Sequence, residues 1–265
     1  MGQENFRITV LGAGGSIPIG RGDRQIFGGD TSCYLVQAGT DSIFLDAGSG
    51  MIAAPAELPG KPCILLSHLH LDHLIGLGMY PRFSEKGKQT AIYLPAESTE
   101  QAHKLLNEIY APPWWPLTLE NYTGDLEIDR LHFPMQVGII RVDGIPGNHP
   151  GGSMIFRLVC GDRMLVYVTD FEHEPESTER LRCFARGASL LLYDGQYTSE
   201  EYEKKKGFGH STAEEGVALK DSCGAERLLL IHHSPTASDD ELQAREDRIG
   251  RSDVLFAREG ETVLI

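Results

Sequence analysis

The chain has 265 residues, of which 41% are hydrophobic, and its formal net charge is -14 at pH 7. This length and hydrophobic content allow a sizeable core and exclude an intrinsically disordered chain. The acidic excess argues against an extended nucleic-acid-binding surface, because such binding is largely electrostatic.

The first half of the chain predicts strands, two helices and one irregular loop. Strands are indicated at FRITVLG, on both sides of the AGTD turn in TSCYLVQAGTDSIFLDAG, and at KPCILLSH and TAIYLPA. The segment DHLIGLGMYPRF predicts a short helix that ends before Pro81. STEQAHKLLNEIY predicts a helix with Ser98 or Thr99 as its N-cap. The prolines and tryptophans of APPWWPLTLENYTGD then predict an irregular loop.

The second half continues the alternation of strands and helices. Strands are indicated at MQVGIIRVDGI, in a hairpin around CGDR within SMIFRLVCGDRMLVYVTD, and at ASLLLYDGQY, ERLLLIHHS and ETVLI. Helices are indicated at STAEEGVALKDSC, which Gly224 follows, and at SDDELQAREDRIG. Most strand pairs are joined by short turns, so the pattern favours a layered α/β sandwich of mixed sheets over a doubly wound parallel sheet. No linker is evident, and we expect one domain over residues 1–265.

The chain shows no feature typical of a membrane or secreted protein. No apolar run approaches the roughly 18 residues of a spanning helix. The opening MGQENFRITVLG lacks a secretory signal pattern, and Phe6 stands where myristoylation needs Ser or Thr. The five cysteines are odd in number and lack C-x-x-C spacing, which indicates reduced thiols, mostly in the core. We therefore expect a cytoplasmic protein without a membrane partner.

The strongest signal for chemistry follows the apolar run PCILL, where His68, His70, Asp72 and His73 form the pattern H-x-H-x-D-H. Two histidines two residues apart in an extended loop can point the same way and bind one ion. Asp72 and His73 are adjacent, so they project differently and can serve a second ion. The alternative, a polar loop of solvated histidines, requires four ligand-type residues to follow a buried strand by coincidence.

Three further candidate ligands lie at the ends of strand-like segments: His149 in PGNHPGG, Asp170 in VYVTDFEH and His232 in LLLIHHSP. Each is weak alone, because a single histidine is more often structural and an aspartate after a strand is often a cap. Together they supply the ligands that the H-x-H-x-D-H motif lacks for a site with two metal ions.

These motifs resemble the metallo-β-lactamase superfamily, in which H-x-H-x-D-H is followed by a His, a bridging Asp and a last His, each ending a strand. The resemblance implies a four-layer αββα sandwich of two mixed β-sheets with the metals at one edge. It also implies that one metal is held by His68, His70 and His149 and the other by Asp72, His73 and His232, with Asp170 bridging. By this pattern the last ligand is His232, which directly follows LLLI, and not His233.

Further segments resemble the phosphodiesterase branch of the superfamily, which includes tRNase Z and small cyclic-nucleotide phosphodiesterases. These are LGAGGSIP, DTSCYL, FLDAGSG and GHSTAEEG. By the tRNase Z pattern, His210 lies beside the metals and Asp194 orients it, while Ser211 and Thr212 are candidate substrate contacts. The alternative is that Ser211 or Thr212 caps a helix and His210 merely precedes it.

The implied function is a dinuclear-metal phosphodiesterase that hydrolyses small anionic phosphodiesters, cyclic nucleotides above all. A metal-bridging water would be the nucleophile and His210 the acid, with Asp194 and the ligand Asp72 as further catalytic candidates. Zinc is the expected metal, and manganese, iron or nickel also suit nitrogen and oxygen ligands. The alternatives are a tRNase Z-type endonuclease, hydrolysis of a lactone, lactam or thioester, and a non-catalytic scaffold. The absence of a Lys- and Arg-rich arm speaks against the endonuclease.

The loop IYAPPWWPLTLENY carries several large aromatic residues. One interpretation is a lid in which Tyr110, Trp114 and Trp115 stack on a nucleobase, since stacking tolerates any base. The other is a hydrophobic plug or a contact between two copies of the chain, and we expect a homodimer.

Overall fold

The computed structural model describes residues 6–265. The first five residues of MGQENFRITVLG, the segment that lacks a secretory signal pattern, lie outside the described residues. The described part contains fourteen strands and five α-helices. The strands are β1 (Arg7–Gly12), β2 (Cys33–Ala38), β3 (Asp41–Leu45), β4 (Cys63–Leu65), β5 (Gln89–Leu94), β6 (Asp125–Arg130), β7 (Met135–Val137), β8 (Ile140–Pro146), β9 (Met154–Cys160), β10 (Arg163–Val168), β11 (Leu190–Asp194), β12 (Arg227–Ile231), β13 (Val254–Phe256) and β14 (Thr262–Leu264). The helices are α1 (Thr99–Ile109), α2 (Pro175–Phe184), α3 (Ser199–Lys204), α4 (Ala213–Cys223) and α5 (Asp239–Ile249).

The strands form two mixed sheets of seven strands each. The first has the order β14-β1-β2-β3-β4-β5-β6, and the second has the order β13-β12-β11-β10-β9-β8-β7. The sheets pack face to face through alternate side chains such as Val10, Val36, Leu158 and Tyr167, all fully buried. The predicted four-layer αββα sandwich is confirmed.

Each sheet is covered on its outer face as well. A cluster that includes Phe44, Ile92 and Leu106 packs α1 and several 3-10 turns against the first sheet. A second cluster, which includes Leu191 and Leu219, packs α2, α4 and α5 against the other sheet. Burial on both faces explains why β4, β11 and β12 are continuously apolar and not alternating.

The parallel strands of both sheets end at one edge of the sandwich. In the first sheet β3 to β6 are parallel, and in the second β10 to β13 are parallel. β8 runs in the same direction as β10, because each is antiparallel to β9 between them. The loops after β4, β8, β10, β11 and β12 therefore meet, and these loops carry the predicted ligands.

Local signals predicted the ends of several helices correctly. The hydroxyl of Ser98 accepts a hydrogen bond from the Gln101 N–H at 3.2 Å and caps α1. Gly224 ends α4 in the left-handed conformation, with φ of 70°. Four cysteines are buried and Cys183 is exposed, and all five are free thiols.

The helix predicted at DHLIGLGMYPRF is wrong. This segment forms three 3-10 turns, at Leu71–His73, Leu77–Met79 and Pro81–Ser84. Bonds to the neighbouring loop interrupt the helical pattern: the His73 carbonyl accepts from the Ala47 N–H, and the Gly76 N–H donates to the Ala47 carbonyl. A Cβ at Gly76 would lie 2.0 Å from the Gly48 carbonyl oxygen, so this close approach needs glycine.

Four elements have sequence signals too weak to be predicted: β6, β13, α2 and α3. β6 is a charged edge strand, DLEIDR, in which only Ile128 is buried. α2 buries only Ser177 and Leu181, and α3 buries no residue, so neither carries a clear apolar period. No helix among residues 6–265 has the length and apolar character needed to cross a bilayer.

Candidate active site

The predicted ligands converge at the edge where the strands end. His68 to His73 follow β4, His149 follows β8, Asp170 follows β10 and His232 directly follows β12. Asp170 and His232 are almost fully buried. Seven residues that are up to 164 positions apart in the chain thus surround one point.

The first group of ligands contains His68, His70 and His149 together with Asp170. Its four ligand atoms lie within 4.8 Å of one another. His68 Nε2 and His149 Nε2 lie 3.5 and 3.6 Å from Asp170 Oδ2. His70 Nδ1 lies 3.1 Å from His149 Nε2.

The second group contains Asp72, His73 and His232, and it meets the other oxygen of Asp170. His73 Nε2 and His232 Nε2 lie 3.1 and 3.2 Å from Asp170 Oδ1. The same two nitrogens lie 3.4 and 3.3 Å from Asp72 Oδ2. One oxygen of Asp170 thus faces each group, which is the arrangement that a bridging carboxylate requires.

The chemistry of these atoms fits metal ions. His68 Nε2 and His73 Nε2 are buried and have no hydrogen-bond partner, although both point into the cluster. Burial lowers the pKa of His68, and also that of His149, which favours the neutral imidazole that can bind a metal. Nitrogen and carboxylate ligands in this number suit divalent transition metals.

The electrostatics of the second group also favour cations. Burial lowers the pKa of His73, but the carboxylates of Asp170, Asp46 and Asp72 outweigh it and hold the pKa well above its ordinary value. Burial also lowers the pKa of His232, but Asp170 and Asp72 outweigh it and raise this pKa to about 9. The buried carboxylates thus favour a positive charge near His73 and His232, and a bound cation would supply it.

His233 has a structural role and is no ligand. Its Nε2 donates to the Ala257 carbonyl at 2.8 Å, and its ring stacks on Phe256. Burial lowers its pKa to about 3, so it stays neutral. The choice of His232 over His233 agrees with the geometry.

Asp46 orients the ligands from behind, and the sequence did not single it out. It lies in the segment FLDAGSG, but no local sequence feature distinguishes it from an ordinary turn residue. Its carboxylate accepts hydrogen bonds from Ser67 N–H at 2.6 Å, Tyr167 OH at 2.7 Å and His73 Nδ1 at 2.8 Å. A carboxylate on the second nitrogen of an imidazole fixes its tautomer and leaves Nε2 for the metal.

Backbone strain is concentrated at this site. Within the described residues, the non-glycine residues with positive φ are Ser16, Asp46, Asp170 and His232. The last two are candidate ligands, Asp46 holds His73, and the Ser16 N–H donates to Asp72 Oδ2 at 2.7 Å. Such conformations cost roughly 1–3 kcal/mol each and persist where the surrounding structure imposes them.

His210 lies beside the ligands, as the resemblance implied. Its Nδ1 is 2.8 Å from Asp194 Oδ2, and Asp194 is fully buried. The ring stacks on His232 with centroids 4.8 Å apart, and Nδ1 lies 3.9 Å from Asp170 Oδ2. Because Nδ1 is bound to Asp194, Nε2 is the nitrogen left to contact a substrate. Thr212 also caps α4, as the alternative interpretation of this motif expects, and this cap does not exclude a role for His210.

The prediction that Ser211 and Thr212 contact substrate is wrong. Ser211 is fully buried, and its hydroxyl bonds to His173 Nδ1 at 2.8 Å and to Tyr193 OH at 2.9 Å. The Thr212 hydroxyl accepts from the Glu215 N–H at 3.3 Å. Both side chains secure the start of α4 and therefore the position of His210.

The aromatic loop is divided between packing and exposure. The prediction for Tyr110 is wrong, because this residue is 1% exposed and its hydroxyl donates to the Leu74 carbonyl. Trp115 is half-buried, packs edge-to-face on Tyr110 and donates from Nε1 to Tyr122 OH at 3.1 Å. Trp114 is 78% exposed and borders an apolar groove of about 440 Å³, so among the three it alone has a ring free to stack.

Glu172 is a second residue that the sequence did not single out. Its carboxylate accepts from the Gly207 N–H at 2.8 Å, from the Gly209 N–H at 3.0 Å and from Tyr202 OH at 3.3 Å. The Gly209 carbonyl in turn accepts from His149 Nδ1 at 2.9 Å. Glu172 therefore holds the short loop before His210, and this loop also contacts the candidate ligand His149.

Comparison with known sequences agrees with this site. A family model described as a beta-lactamase superfamily domain matches residues 34–233. The probable metallo-hydrolase YhfI of Bacillus subtilis is 24% identical over 267 residues, which cover 96% of this chain and 98% of that protein. A ribonuclease Z of Methanosarcina acetivorans is 25% identical over 284 residues, which cover 89% of this chain and 90% of that protein.

Solved structures share the fold. The crystal structure of YhfI matches with a TM-score of 0.75 and 21% identity over 98% of this chain and 100% of that one. A diphosphatase of the PhnP family matches with a TM-score of 0.72 and 18% identity over 98% of both chains. Because the family model spans most of the chain and the ligand groups are in place, the chain belongs to the metallo-β-lactamase superfamily of hydrolases.

Proposed function

We propose that this protein is a metal-dependent phosphodiesterase that acts on small phosphodiesters, cyclic nucleotides above all. The observation that carries the proposal is the His210–Asp194 pair, 2.8 Å apart, beside two ligand groups that share Asp170. The two ligand groups are complete without His210, and Asp194 occupies its Nδ1. A histidine held by a buried carboxylate is suited to protonate a poor leaving group, such as the alkoxide of a nucleotide ester.

Two ions are proposed, with zinc as the first candidate and manganese, iron or nickel as others. His68, His70 and His149 would hold one, Asp72, His73 and His232 the other, and Asp170 both. When bound, such ions supply positive charge for the phosphoryl oxygens and make water nucleophilic near neutral pH.

The protein's own residues would do the rest. Asp194 accepts the Nδ1 proton of His210 and so keeps the imidazole in one tautomer. When the ring is protonated on both nitrogens, His210 would donate the Nε2 proton to the departing ester oxygen, or a hydrogen bond to the phosphoryl group, and would keep the Nδ1 proton on Asp194. Buried Asp46 keeps His73 in position through its Nδ1.

A tRNase-type endonuclease is the second candidate, because ribonucleases Z are among the relatives. The net charge of -14 favours the smaller substrate, since RNA binding depends on neutralising many phosphates. Comparing the hydrolysis of a 2′,3′-cyclic nucleotide with cleavage of a tRNA precursor decides between them.

We also propose a cytoplasmic homodimer whose contact is the apolar groove bordered by Leu71, Ile75 and Trp114, which are 64%, 43% and 78% exposed.

The test is elemental analysis combined with the kinetics of a His210→Ala variant. We expect close to two transition-metal ions per chain in both the wild type and the variant. The variant should hydrolyse a nucleotide ester roughly 10²–10⁴-fold more slowly, and Asp194→Asn should show a smaller loss in the same direction. His103→Ala, a half-exposed histidine on α1, is the matched control and should match the wild type. Wild-type turnover by His210→Ala would refute the assignment of this histidine.

A further inference from the structure

A cavity of about 450 Å³ opens directly beside the first ligand group. His68 and His70 form part of its wall, and its volume lies within the range typical of small-molecule sites. The remaining wall comes from α1, the end of β5, the β8–β9 connection and the loop after β4. Its other lining residues are Leu69, Pro95, Leu105, Pro146, Gly151, Gly152, Ser153 and Met154.

The chemistry of the wall is apolar, with a polar mouth at the two imidazoles. Two prolines, two leucines and a methionine provide flat and polarisable contacts, which suit the face of a planar ring. No lysine or arginine is among the described residues that line the cavity, so it offers nothing to a second anionic group. Gly151 and Gly152 have φ of 82° and 85°, a conformation that keeps this side of the wall free of side chains.

The groove at Trp114 has almost the same volume, about 440 Å³, but it contains none of the ligands. Leu71 and Leu74 line that groove, whereas the side chains of His68 and His70 line the cavity. A group attached directly to a phosphate at the ligand cluster therefore reaches the cavity first.

We propose that this cavity is the subsite for a neutral planar ring on the substrate, either an aryl group esterified directly to the phosphate or a nucleobase carried on the esterified ribose. This inference rests on the proposed phosphodiesterase function and names the part of the substrate that the protein selects. It assigns specificity to Leu105 and Met154, which line the cavity from α1 and from the start of β9, and not to the aromatic loop.

The test measures binding, so that it does not depend on turnover. Isothermal titration calorimetry of the zinc-loaded protein would compare adenosine 5′-monophosphate, phenyl phosphate and methyl phosphate, which share the phosphoryl group and differ in the ring. Burying a ring against apolar side chains is worth roughly 1.5–3 kcal/mol, so the two ring-bearing phosphates should bind about 10- to 150-fold more tightly than methyl phosphate. Tighter binding of the adenosine ester alone would narrow the ligand to nucleobases.

Leu105→Trp fills the cavity and should reduce this preference to less than about 2-fold, while methyl phosphate binds as before. Glu108→Trp is the matched control, because it lies on the same helix and lines the Trp114 groove instead. Met154→Trp fills the cavity from the start of β9, and thermal melting shows that each variant is folded. An unchanged preference in folded Leu105→Trp and Met154→Trp, or its loss in Trp114→Ala, would overturn the subsite. Absence of any preference for the ring-bearing phosphates in the zinc-loaded wild type would also overturn it, whereas the phosphodiesterase proposal stands or falls on the turnover of His210→Ala.

Discussion

Glu172 offers the sharpest test of how His210 is positioned. The Glu172→Ala variant removes the carboxylate that accepts from the Gly207 and Gly209 N–H groups. These are the backbone groups directly before His210, and the Gly209 N–H is buried. The variant removes no predicted metal ligand, so its effect should reach the chemistry only through the loop.

The magnitude follows from the hydrogen bonds that are lost. A buried donor left without a partner costs about 1–3 kcal/mol. If that cost shifts the loop away from the arrangement that presents His210, turnover falls by about 5- to 150-fold, because each 1.36 kcal/mol changes a rate tenfold. Glu172→Gln keeps one acceptor oxygen for both N–H groups and an amide that can donate to Tyr202 OH, so it should stay within about 5-fold of the wild type.

The assay compares two esters with the same phosphoryl group. One has an alkoxide leaving group that needs a proton, and the other has p-nitrophenolate, which leaves without one. We expect Glu172→Ala to lose kcat on the alkyl ester and to keep most of it on the aryl ester, with an unchanged zinc content. Glu200→Gln, which removes an exposed ion pair with Lys204, is the control and should change neither.

Two results would contradict this reasoning. Wild-type turnover of the alkyl ester by Glu172→Ala would show that the loop holds His210 without the carboxylate. Equal losses on both esters, accompanied by a loss of zinc, would show that Glu172 acts through His149 and the metal ligands.

Three further predictions concern metal content, assembly and pH. Asp170→Ala should retain less metal in elemental analysis than His68→Ala, because its two oxygens face both ligand groups; equal retention would argue against bridging. Trp114→Glu should convert the proposed homodimer to a monomer in analytical ultracentrifugation, whereas Leu264→Glu, 62% exposed on β14, should not. Burial raises the pKa of Glu259 to about 7, so the folded state binds more protons than the unfolded state between about pH 4.5 and 7, and stability falls as the pH rises through this window. At pH 8 the Glu259→Gln variant should therefore have a free energy of unfolding about 1 kcal/mol above that of the wild type, after allowance for solvent screening, and a melting temperature a few degrees higher. At pH 4.5 its melting temperature should be no higher than that of the wild type. Equal differences at both pH values would contradict the prediction.

The sequence by itself determined the fold class and the ligand set. Strands such as β4, β11 and β12 are short, apolar and flanked by turns, so local patterns were sufficient to place them. The candidate ligands could be found because they lie in the loops that follow strands, and strands that run in the same direction bring their carboxyl ends to one edge. The resemblance of the motifs then assigned each ligand to a group, and the distances agree with that assignment.

Only the tertiary structure decided what the neighbouring residues do. Ser211 and Tyr110 looked like substrate contacts from their motifs, but the packing of α4 and of the 3-10 turns buries them. Asp46 and Glu172 looked like ordinary turn residues, yet they hold His73 and the loop before His210. Such roles depend on partners distant in the chain: 27 residues separate Asp46 from His73, and 37 separate Glu172 from Gly209. A hydrogen bond between residues so far apart exists only after the strands that precede them have come together in the folded chain, and no local pattern records it.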